Sequence, residues 1–379
     1  MIPPVYRGYL YLAVMNLRSG ITTGTCAAAA AKAALLTWLG EKPAFVEIHA
    51  PAGKVLTVPV SSAESLCDGG RAVVLKDAGD DPDITNGVAI IVEVLVRAGQ
   101  PEIVFSAGEG IGRVTLPGLQ IPVGEPAINP VPRQMIETEL RALLPSGSGA
   151  LVSISIPDGE RLAKRTLNPT LGIVGGLSII GTTGIVEPMS EEAFKNSLKP
   201  QISVAKALGY NSIVMVPGKI GQDFAVGRYS LPAASVLQTS NFIGFMLESA
   251  VEYGIEEVLL FGHLGKLVKV AGGIFHTHNR MADARMETLA AYMAAEGAPQ
   301  AAVKAVLGCT TTEAAIPILQ EYELNSVYSI LAQRASVRAS RYVFGDLRVG
   351  TAIVTMKGEL LGLDDEARRI GGRLGWTIV

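Results

Sequence analysis

Hydroxyl groups and glycines cluster in a short segment near the start of the chain. The segment GITTGTC contains Thr22, Thr23 and Thr25 and leads into an alanine-rich run that extends to Leu39. The first N–H groups of a helix lack intrahelical acceptors and attract carboxylates and phosphates. The three threonines are therefore candidates for binding an anion, and a simple helix cap formed by Thr25 is an equally good interpretation.

Four aspartates crowd the segment DAGDDPD, which begins at Asp77. Such carboxylates could bind a cation, accept a proton or orient a polar substrate edge. A calcium-binding EF-hand is excluded because Pro82 occupies the position where that loop requires glycine. Asp80 and Asp81 are the candidates for a catalytic group, and the alternative is an Asx/Pro turn that caps the next helix through Asp83.

The segment ERLAKR concentrates three basic residues, Arg161, Lys164 and Arg165, ahead of a glycine-rich stretch. A cluster of this kind suits a carboxylate or phosphate, and Arg161 and Arg165 are our candidates for binding one. The common alternative is a solvated, charged surface.

Two glycine-containing turns are candidates for binding a small ligand. The first comprises Gly181, Thr182, Thr183 and Gly184, which repeat the Thr-Thr-Gly pattern of the N-terminal segment. The second lies in GHLGK, where Gly262 and Gly265 flank His263 after an apolar run, and it resembles a phosphate loop only superficially. His263 could transfer a proton or contact a substrate, with a structural role equally plausible. The pair His276 and His278 lacks a third ligand at a telling distance, so no protein-bound metal is predicted.

Composition indicates a large globular protein with aliphatic cores. The chain has 379 residues, 49% of them hydrophobic and only 6% aromatic, which favours two α/β-type domains over an aromatic-rich sandwich. With 32 basic and 35 acidic residues it lacks the cationic excess of a nucleic-acid-binding protein. Three widely separated cysteines predict neither a disulfide framework nor a zinc site and fit the cytoplasm.

No membrane anchor is expected. The longest uncharged stretch, residues 166–186, is interrupted by glycine, proline and asparagine, which argues against a membrane span. Residues 1–16 carry one charge and no cleavage site typical of a signal peptide. We interpret them as an N-terminal extension, and Met15 is an alternative start to Met1.

The hydropathy pattern and the positions of turn and capping residues predict an α+β domain at residues 17–189. We expect helices at Cys26–Leu39, Ile84–Arg97 and Val131–Leu144, and strands at Ala44–His49, Val55–Val60, Ala72–Leu75, Glu102–Ser106 and Leu151–Ile156. Thr25 is the predicted N-cap of the first helix and Gly40 its terminating glycine.

The remainder, residues 190–379, alternates apolar strands with helices and predicts an α/β domain with a small parallel sheet. The expected strands are Ser212–Val216, Glu257–Phe261 and Thr351–Met356. Ligands of open parallel sheets bind beyond the carboxyl ends of the strands. The turns at Pro217–Gly221 and Gly262–Lys266 are therefore expected at a binding site.

Six segments together resemble one known family. They are ITTGTCAAAAAKAAL, KDAGDDPDITNG, GEGIGRVTLPGL, GEPAINPVPRQMI, IPDGERLAKRTLNPTLGIVGGLSIIGTTGIVEPMS and FGHLGKLVKVAGGIFHTHN. In this order they are similar to the cobalt-precorrin-5B C(1)-methyltransferase family, from about Leu17 almost to the C-terminus. The motifs are long and unusual, so chance does not explain the match.

This resemblance implies a function and a fold. The function is transfer of a methyl group from S-adenosyl-L-methionine to ring carbon 1 of cobalt-precorrin-5B, giving cobalt-precorrin-6A in anaerobic cobalamin biosynthesis. The fold is an N-terminal domain related to the ribosomal S5 domain 2-like fold, followed by a small α/β domain. Cobalt would arrive inside the anionic macrocycle, and a homo-oligomer is possible.

Roles follow as hypotheses from the resemblance and the chemistry together. Substrate carboxylates would bind Thr22, Thr23, Thr25, Arg161 and Arg165. The methyl donor would bind the turn at Gly181–Gly184 and the turn containing Gly262 and Gly265. Asp80, Asp81 or His263 would supply the polar or proton-accepting group.

Two other classes of protein remain open at this stage. A small-molecule kinase is one, because the implied fold also hosts kinases and Gly/Thr loops suit phosphates. The other is a non-catalytic tetrapyrrole carrier, in which the aspartates and His263 would be structural.

Overall fold

The computed structural model describes residues 17–376. These residues form a mixed α/β structure with several β-sheets, and the chain divides between Glu191 and Glu192 into two compact units. Each unit has its own aliphatic core. The predicted N-terminal extension, residues 1–16, lies outside the described residues.

The first unit is built around a five-stranded sheet. The strands of the whole unit are β1 (Gly20–Ile21), β2 (Phe45–His49), β3 (Val55–Pro59), β4 (Ser62–Leu66), β5 (Gly69–Leu75), β6 (Ala89–Arg97), β7 (Ile103–Ala107), β8 (Arg113–Val114), β9 (Gly149–Ser155), β10 (Ile173–Val174) and β11 (Ile185–Val186). Its helices are α1 (Thr23–Trp38), α2 (Pro130–Arg141) and α3 (Gly159–Ala163). The main sheet has the order β4-β5-β6-β9-β7, antiparallel except that β7 runs parallel to β9. Two-stranded sheets pair β1 with β11, β2 with β3 and β8 with β10.

Helix α1 packs very closely on this sheet. Its alanines from Ala27 to Ala31 are fully buried. A Cβ atom added to Gly70 of β5 would lie 1.9 Å from the carbonyl oxygen of Ala34, so only glycine fits at this point. The helix ends as predicted, with Gly40 in the left-handed conformation at φ 97°. The alanine-rich segment is therefore a core helix, and small side chains set its distance from the sheet.

The start of α1 differs from the prediction. The helix begins at Thr23, and the side chain of Thr22, not Thr25, caps it: Thr22 Oγ1 accepts a hydrogen bond from the Thr25 N–H at 3.2 Å. The prediction of Thr25 as the N-cap is wrong by one turn. Either threonine could form such a cap locally, and the fold selected Thr22 by pairing Gly20 and Ile21 with β11 immediately before it.

The predicted helix at Ile84–Arg97 is also wrong. Residues Ala89–Arg97 form β6, which lies between β5 and β9. Ile90, Val92 and Val94 are fully buried and alternate with partly exposed residues, the period of a strand with one covered face. Because most of the partly exposed positions, such as Ile91 and Leu95, are apolar too, the alternation was not visible as a hydropathy pattern. The abundance of β-branched side chains was the signal for a strand.

The second unit contains a sheet with helices from α4 to α13. Its strands are β12 (Ser212–Val216), β13 (Val236–Gln238), β14 (Glu257–His263), β15 (Arg348–Val354) and β16 (Leu360–Leu363). The helices are α4 (Glu191–Leu198), α5 (Pro200–Ala207), α6 (Lys219–Gly227), α7 (Ile243–Glu252), α8 (Leu264–Ala271), α9 (Arg285–Ala295), α10 (Gln300–Leu307), α11 (Thr312–Glu321), α12 (Ser326–Tyr342) and α13 (Asp365–Arg373), with a 3₁₀ turn at Ala233–Ser235.

Strand order in the second unit is β13-β12-β14-β15-β16. The first four strands are parallel and β16 is antiparallel to β15. The predicted parallel sheet is therefore confirmed, with an antiparallel strand at one edge. Because the strands are parallel, the loops after β12, β13, β14 and β15 all emerge at one edge, which we call the carboxyl edge.

Candidate functional site

The carboxyl edge brings together several chemically capable loops of the second unit. Helix α6 begins after β12 and helix α8 begins after β14, and no side chain within residues 17–376 caps either helix. The two turns touch, because a Cβ atom added to Gly262 would lie 2.8 Å from Cδ of Pro217. Both predicted turns therefore lie at this edge, next to two helix N-termini that favour negative charge.

His263 ends β14 and precedes the first turn of α8. Its imidazole is half-buried and has no hydrogen-bond partner among residues 17–376. Burial, together with the positive charges of Lys266 and Arg285, lowers the pKa of His263 to about 4, so the ring is neutral at pH 7. A Cβ atom added to Gly265 would lie 3.2 Å from His263 Nδ1 and 3.0 Å from Thr312 Oγ1, so a side chain at this position would crowd both groups.

Two lysines of α8 lie beside His263. Lys266 Nζ donates to Asn241 Oδ1 at 2.6 Å and to the Thr277 carbonyl oxygen at 3.2 Å. Lys269 is fully buried, and its Nζ donates to the Thr277 carbonyl at 3.2 Å, to Asn279 Oδ1 at 2.7 Å and to the Ala282 carbonyl at 2.9 Å. The two side chains thus tie the segment after α8 to the carboxyl edge.

Positive charge exceeds negative charge in this cluster. Burial, followed by the charges of Lys269 and Arg285, lowers the pKa of Lys266 to about 8. The carboxylate of Asp283 is already held by a two-point ion pair with Arg285, with both distances at 2.7 Å. No carboxylate among residues 17–376 lies within 4.0 Å of the Lys266 or Lys269 ammonium. Such a cluster suits an anionic ligand.

Sequence reasoning included Lys266 in a candidate turn but missed Lys269, Asn241 and Arg285. A signal for Lys269 was present: it lies in the apolar run LVKVAGG, three residues after Lys266. A lysine on the buried face of a helix requires acceptors, so its position predicted a polar cluster. Asn241 and Arg285 gave no such signal, because they come from other parts of the chain.

The predicted threonines of the first unit are engaged by protein. Thr25 Oγ1 donates to the Gly184 carbonyl oxygen at 2.7 Å, and Thr23 Oγ1 bonds both the carbonyl and the N–H of Ile180. Thr22 Oγ1 lies 3.2 Å from Thr25 Oγ1. All three side chains are buried. A ligand carboxylate at this helix end would have to compete with these bonds.

The turn from Gly181 to Gly184 packs directly on these threonines, so the two Thr-Thr-Gly segments lie in contact. A Cβ atom added to Gly181, whose φ is 139°, would lie 2.2 Å from Thr22 Oγ1. Thr183 Oγ1 donates to the Ile185 carbonyl at 2.9 Å, while the side chain of Thr182 is exposed. The turn therefore covers the N-terminus of α1.

The predicted aspartates receive backbone hydrogen bonds. Asp80 Oδ2 accepts from the N–H of Arg18 at 2.6 Å, and Asp81 Oδ1 accepts from the N–H of Met189 at 2.9 Å. Asp80 is exposed and Asp81 is half-buried. Each carboxylate keeps acceptor capacity for a further partner.

The basic run lies on the surface of the first unit. Arg161 pairs with Asp158 at 3.4 Å across an exposed turn of α3, and Arg165 is exposed with no partner among the described residues. A cleft of about 350 Å³ is lined by Glu109, Gly110, Asp158, Gly159, Glu160, Arg161 and Lys164. Its lining has three acidic and two basic side chains, so it lacks the excess of positive charge found at the carboxyl edge.

Residues 17–376 contain neither a metal-binding cluster nor a helix of membrane-spanning type. No group of three or more His, Cys, Asp or Glu side chains there could hold a metal ion. The rings of His276 and His278, for example, lie 6.5 Å apart. In the same part of the chain no helix is long and apolar enough to cross a membrane.

Fold and site define a mixed α/β protein whose parallel sheet carries a cationic edge suited to anionic small molecules. The chain belongs to the CbiD family. The family model described as CbiD matches residues 12–188, and the model described as CbiD, C-terminal domain, matches residues 276–365.

Similar proteins carry a consistent name. A protein from Moorella thermoacetica is 53% identical over 365 residues, covering 96% of this chain and 99% of the relative. One from Methanocaldococcus jannaschii is 49% identical, covering 90% of this chain and 95% of the relative. One from Desulfitobacterium hafniense is 48% identical, covering 93% of this chain and 92% of the relative. All three are named cobalt-precorrin-5B C(1)-methyltransferase.

A solved structure is also similar in sequence. It is the crystal structure of cobalamin biosynthesis protein (cbiD) from Archaeoglobus fulgidus, 31% identical, covering 68% of this chain and 80% of that chain with a TM-score of 0.37.

Proposed function

We propose that this protein methylates ring carbon 1 of cobalt-precorrin-5B to give cobalt-precorrin-6A in anaerobic cobalamin biosynthesis. One observation carries the proposal: relatives with 46–53% identity over at least 90% of this chain share the name of that enzyme. Sequence identity of this extent over both units supports the same reaction for this protein.

S-adenosyl-L-methionine is the proposed methyl donor. It supplies an electrophilic methyl group on a sulfonium, so that transfer breaks a C–S bond and forms a C–C bond at the ring carbon. The carboxyl edge fits such a donor, because the methionine carboxylate of the donor matches the excess positive charge around Lys266 and the uncapped start of α8. We keep the turn containing Gly262 and Gly265 as the proposed donor-binding turn, since it leads directly into the uncapped start of α8.

The protein has a limited chemical task in this reaction. It must align the donor with the ring carbon and keep water from the sulfonium. His263 is neutral at pH 7 and can accept a hydrogen bond or a proton without first losing one. We keep His263, Asp80 and Asp81 as the proposed polar groups.

The remaining predicted residues stay in the proposal, but they differ in how freely they can contact a ligand. Arg161 and Arg165 are exposed and can meet a substrate carboxylate without breaking a buried contact. The threonines at positions 22, 23 and 25 lie against the turn at Gly181–Gly184: Thr25 bonds Gly184, and Thr23 bonds Ile180 just before the turn. Their proposed role in holding the substrate or donor therefore requires an exchange of hydrogen bonds.

Fold and setting complete the proposal. The main sheet of the first unit, with α1 and α2 packed together beside it, is compatible with the S5 domain 2-like fold that we propose for this unit. Within the described residues Cys26, Cys67 and Cys309 are free, which suits the reducing cytoplasm. We propose a cytoplasmic enzyme, possible as a homo-oligomer, that binds no nucleic acid or membrane.

The test is an anaerobic assay with S-adenosyl-L-methionine and enzymatically generated cobalt-precorrin-5B. Mass spectrometry follows methyl incorporation and NMR locates the methyl group. Methyl gain at ring carbon 1 is expected. Unchanged macrocycle, with the donor and the upstream enzymes shown to be active, would contradict the proposal. Tight macrocycle binding without turnover would then favour a carrier, and ATP binding a kinase.

A further inference from the structure

We infer that Lys266, flanked by His263 and Arg285, binds a carboxylate group of one of the two reaction ligands. This inference rests on the proposed function and adds a specific binding site to it. Two sources offer the same chemistry: the methionine part of the methyl donor and the acidic side chains of the macrocycle. The experiment below distinguishes them.

Hydrogen-bond capacity separates Lys266 from its neighbour. An ammonium group has three N–H donors. Lys269 uses all three on Thr277, Asn279 and Ala282, and it is fully buried, so it is a structural group. Lys266 uses two, on Asn241 and Thr277, and is only half-buried. One donor of Lys266 is therefore available to a ligand.

Charge around Lys266 points in the same direction. Its neighbours Lys269 and Arg285 are cationic, and the nearby carboxylate of Asp283 is occupied by Arg285. Holding like charges together while removing them from water is costly unless an anion joins them. Burial first, and then the charges of Lys269 and Arg285, lower the pKa of Lys266 to about 8. A ligand carboxylate would supply the missing negative charge.

Space and polarity at the site also fit. The first turn of α8 contributes N–H groups that no described side chain caps. Because position 265 is glycine, no side chain of this residue stands between His263 Nδ1 and Thr312 Oγ1 beside them. The start of α6, the loop after β15 and the loop after α8 carry the exposed apolar side chains Ile220, Met356 and Met281. A ligand with a flat apolar body and peripheral carboxylates matches this combination.

A purely structural role for Lys266 is the competing explanation, and the chain offers a matched control. Lys206 Nζ donates to Asn211 Oδ1 at 2.7 Å and to the Gly254 carbonyl at 2.6 Å, the same two kinds of partner. It is also half-buried, but it lies at the opposite edge of the sheet, where β12 and β14 begin. Lys206→Gln therefore removes the same kinds of hydrogen bond and the same charge as Lys266→Gln, but at a position far from the proposed site.

The experiment compares full-length wild-type protein with Lys266→Gln, Lys266→Arg and Lys206→Gln. Calorimetry measures Kd for S-adenosyl-L-homocysteine and for 5′-methylthioadenosine, which lacks the carboxylate. Anaerobic kinetics measure KM for cobalt-precorrin-5B. Circular dichroism verifies folding. If Lys266→Gln does not fold, Gly265→Ala replaces it, because its methyl group would crowd His263 and Thr312 at the start of α8 without changing charge.

Loss of a charged hydrogen bond should weaken binding by about 10- to 100-fold. If the donor carboxylate binds Lys266, Lys266→Gln raises Kd for S-adenosyl-L-homocysteine by that factor and leaves Kd for 5′-methylthioadenosine unchanged. If a macrocycle carboxylate binds there, KM for cobalt-precorrin-5B rises instead. In either case Lys266→Arg retains most of the affinity and Lys206→Gln all of it.

Three outcomes overturn the inference, and the third also overturns the proposed function. If the wild-type protein is active while Lys266→Gln keeps both constants within about twofold, the carboxylate site is wrong and the proposed function stands. The carboxylate site is equally wrong if Lys206→Gln weakens binding as much as Lys266→Gln. If the wild-type protein itself neither binds the donor nor methylates the macrocycle, both the function and the site are wrong.

Discussion

Lys266 and Lys269 donate to the same carbonyl oxygen, that of Thr277, each at 3.2 Å. Two ammonium groups that share one acceptor repel each other, and the contact persists because each also has other oxygen partners. The two lysines differ in their roles. Lys269 fixes the segment after α8, and Lys266 extends to the half-exposed surface of the carboxyl edge.

Replacement of Lys269 by methionine should destabilise the second unit. The substitution removes one of the two ammonium donors of the buried Thr277 carbonyl and the ammonium donor of the more exposed Asn279 and Ala282 oxygens. We expect a loss of about 1–3 kcal/mol in the free energy of unfolding. Denaturant titration followed by circular dichroism measures it. Lys206→Met, at a half-buried position with two acceptors, should cost about 1 kcal/mol. Equal stability of Lys269→Met and wild type would show that these hydrogen bonds contribute little.

Binding of the carboxylate-bearing ligand should weaken at alkaline pH. Burial lowers the pKa of Lys266 to about 8, so the free protein loses this proton as the pH rises through that value. A bound carboxylate favours the ammonium form, so affinity is highest below pH 8 and falls by up to about tenfold per pH unit above it. Calorimetry from about pH 6.5 to about pH 9.5, a range that brackets the titration of such a group, checks the sign.

Other titratable or charged groups of the same cluster define the control. They are His263 on β14, Lys269 on α8, Arg285 at the start of α9, and Asp283, His276 and His278 in the segment between α8 and α9. The pKa of His263 is about 4, far below this range. Lys266→Arg remains charged throughout and should abolish the alkaline decline. A decline that persists in this variant would assign it to another group.

Glu257 should be a major ionic support of the second unit. Its Oε1 accepts from Arg348 at 3.0 Å, from Arg369 at 2.8 Å and from Arg373 at 2.9 Å, and Oε2 accepts from Ser212 at 2.8 Å. Glu257→Gln removes the charge that holds three guanidinium groups, all partly exposed, and should cost about 1–3 kcal/mol. Thermal and denaturant unfolding measure it. The exposed neighbour Glu256 provides the control, since Glu256→Gln should change stability by less than about 0.5 kcal/mol.

The same carboxylate predicts acid sensitivity. Burial alone would raise the pKa of Glu257, but hydrogen bonds from Ser212 and Arg369 outweigh it and hold the pKa below the ordinary value of 4.5. A depressed folded-state pKa stabilises the fold above the unfolded-state value, and this contribution is lost as the pH falls below it. Wild type should therefore lose more stability than Glu257→Gln on acidification below 4.5. Parallel curves for the two proteins would contradict this.

Thr25→Val should destabilise the first unit. The substitution keeps the shape of the side chain and removes the hydrogen bond to the Gly184 carbonyl, so we expect a loss of about 1–2 kcal/mol. Thr25→Ser keeps the hydroxyl and is the control. Denaturant unfolding gives stability, and anaerobic kinetics give KM for cobalt-precorrin-5B. Unchanged stability with a raised KM would favour a direct role of Thr25 in substrate binding.

Arg165→Ala tests the surface cluster of the first unit. Arg165 is exposed and has no partner in the part of the chain that the structure describes, so the substitution should leave stability unchanged. If Arg165 binds a macrocycle carboxylate, KM for cobalt-precorrin-5B should rise by about three- to tenfold. Lys42→Ala, another exposed basic residue of this unit, is the control. An unchanged KM would remove Arg165 from the substrate-binding residues.

Several elements could be predicted because their signals are local. The strand Ser212–Val216 has the predicted bounds, and the left-handed glycine at position 40 ends α1 as expected. Apolar runs bounded by polar turns, and a glycine after a run of alanines, act over a few residues and need no partner. The parallel arrangement followed from the alternation of strands and helices for the same reason.

What the sequence by itself determined is therefore the class of structure, the family and the edge at which His263 would lie. Tertiary structure alone decided the partners. The apolar run at Ala89–Arg97 became a strand because β5 and β9 lie on either side of it. Asn241 and Thr277 meet Lys266 across 25 and 11 residues of chain. Hydrogen bonds and charge clusters depend on distances that the fold creates, and spacing along the chain does not encode those distances.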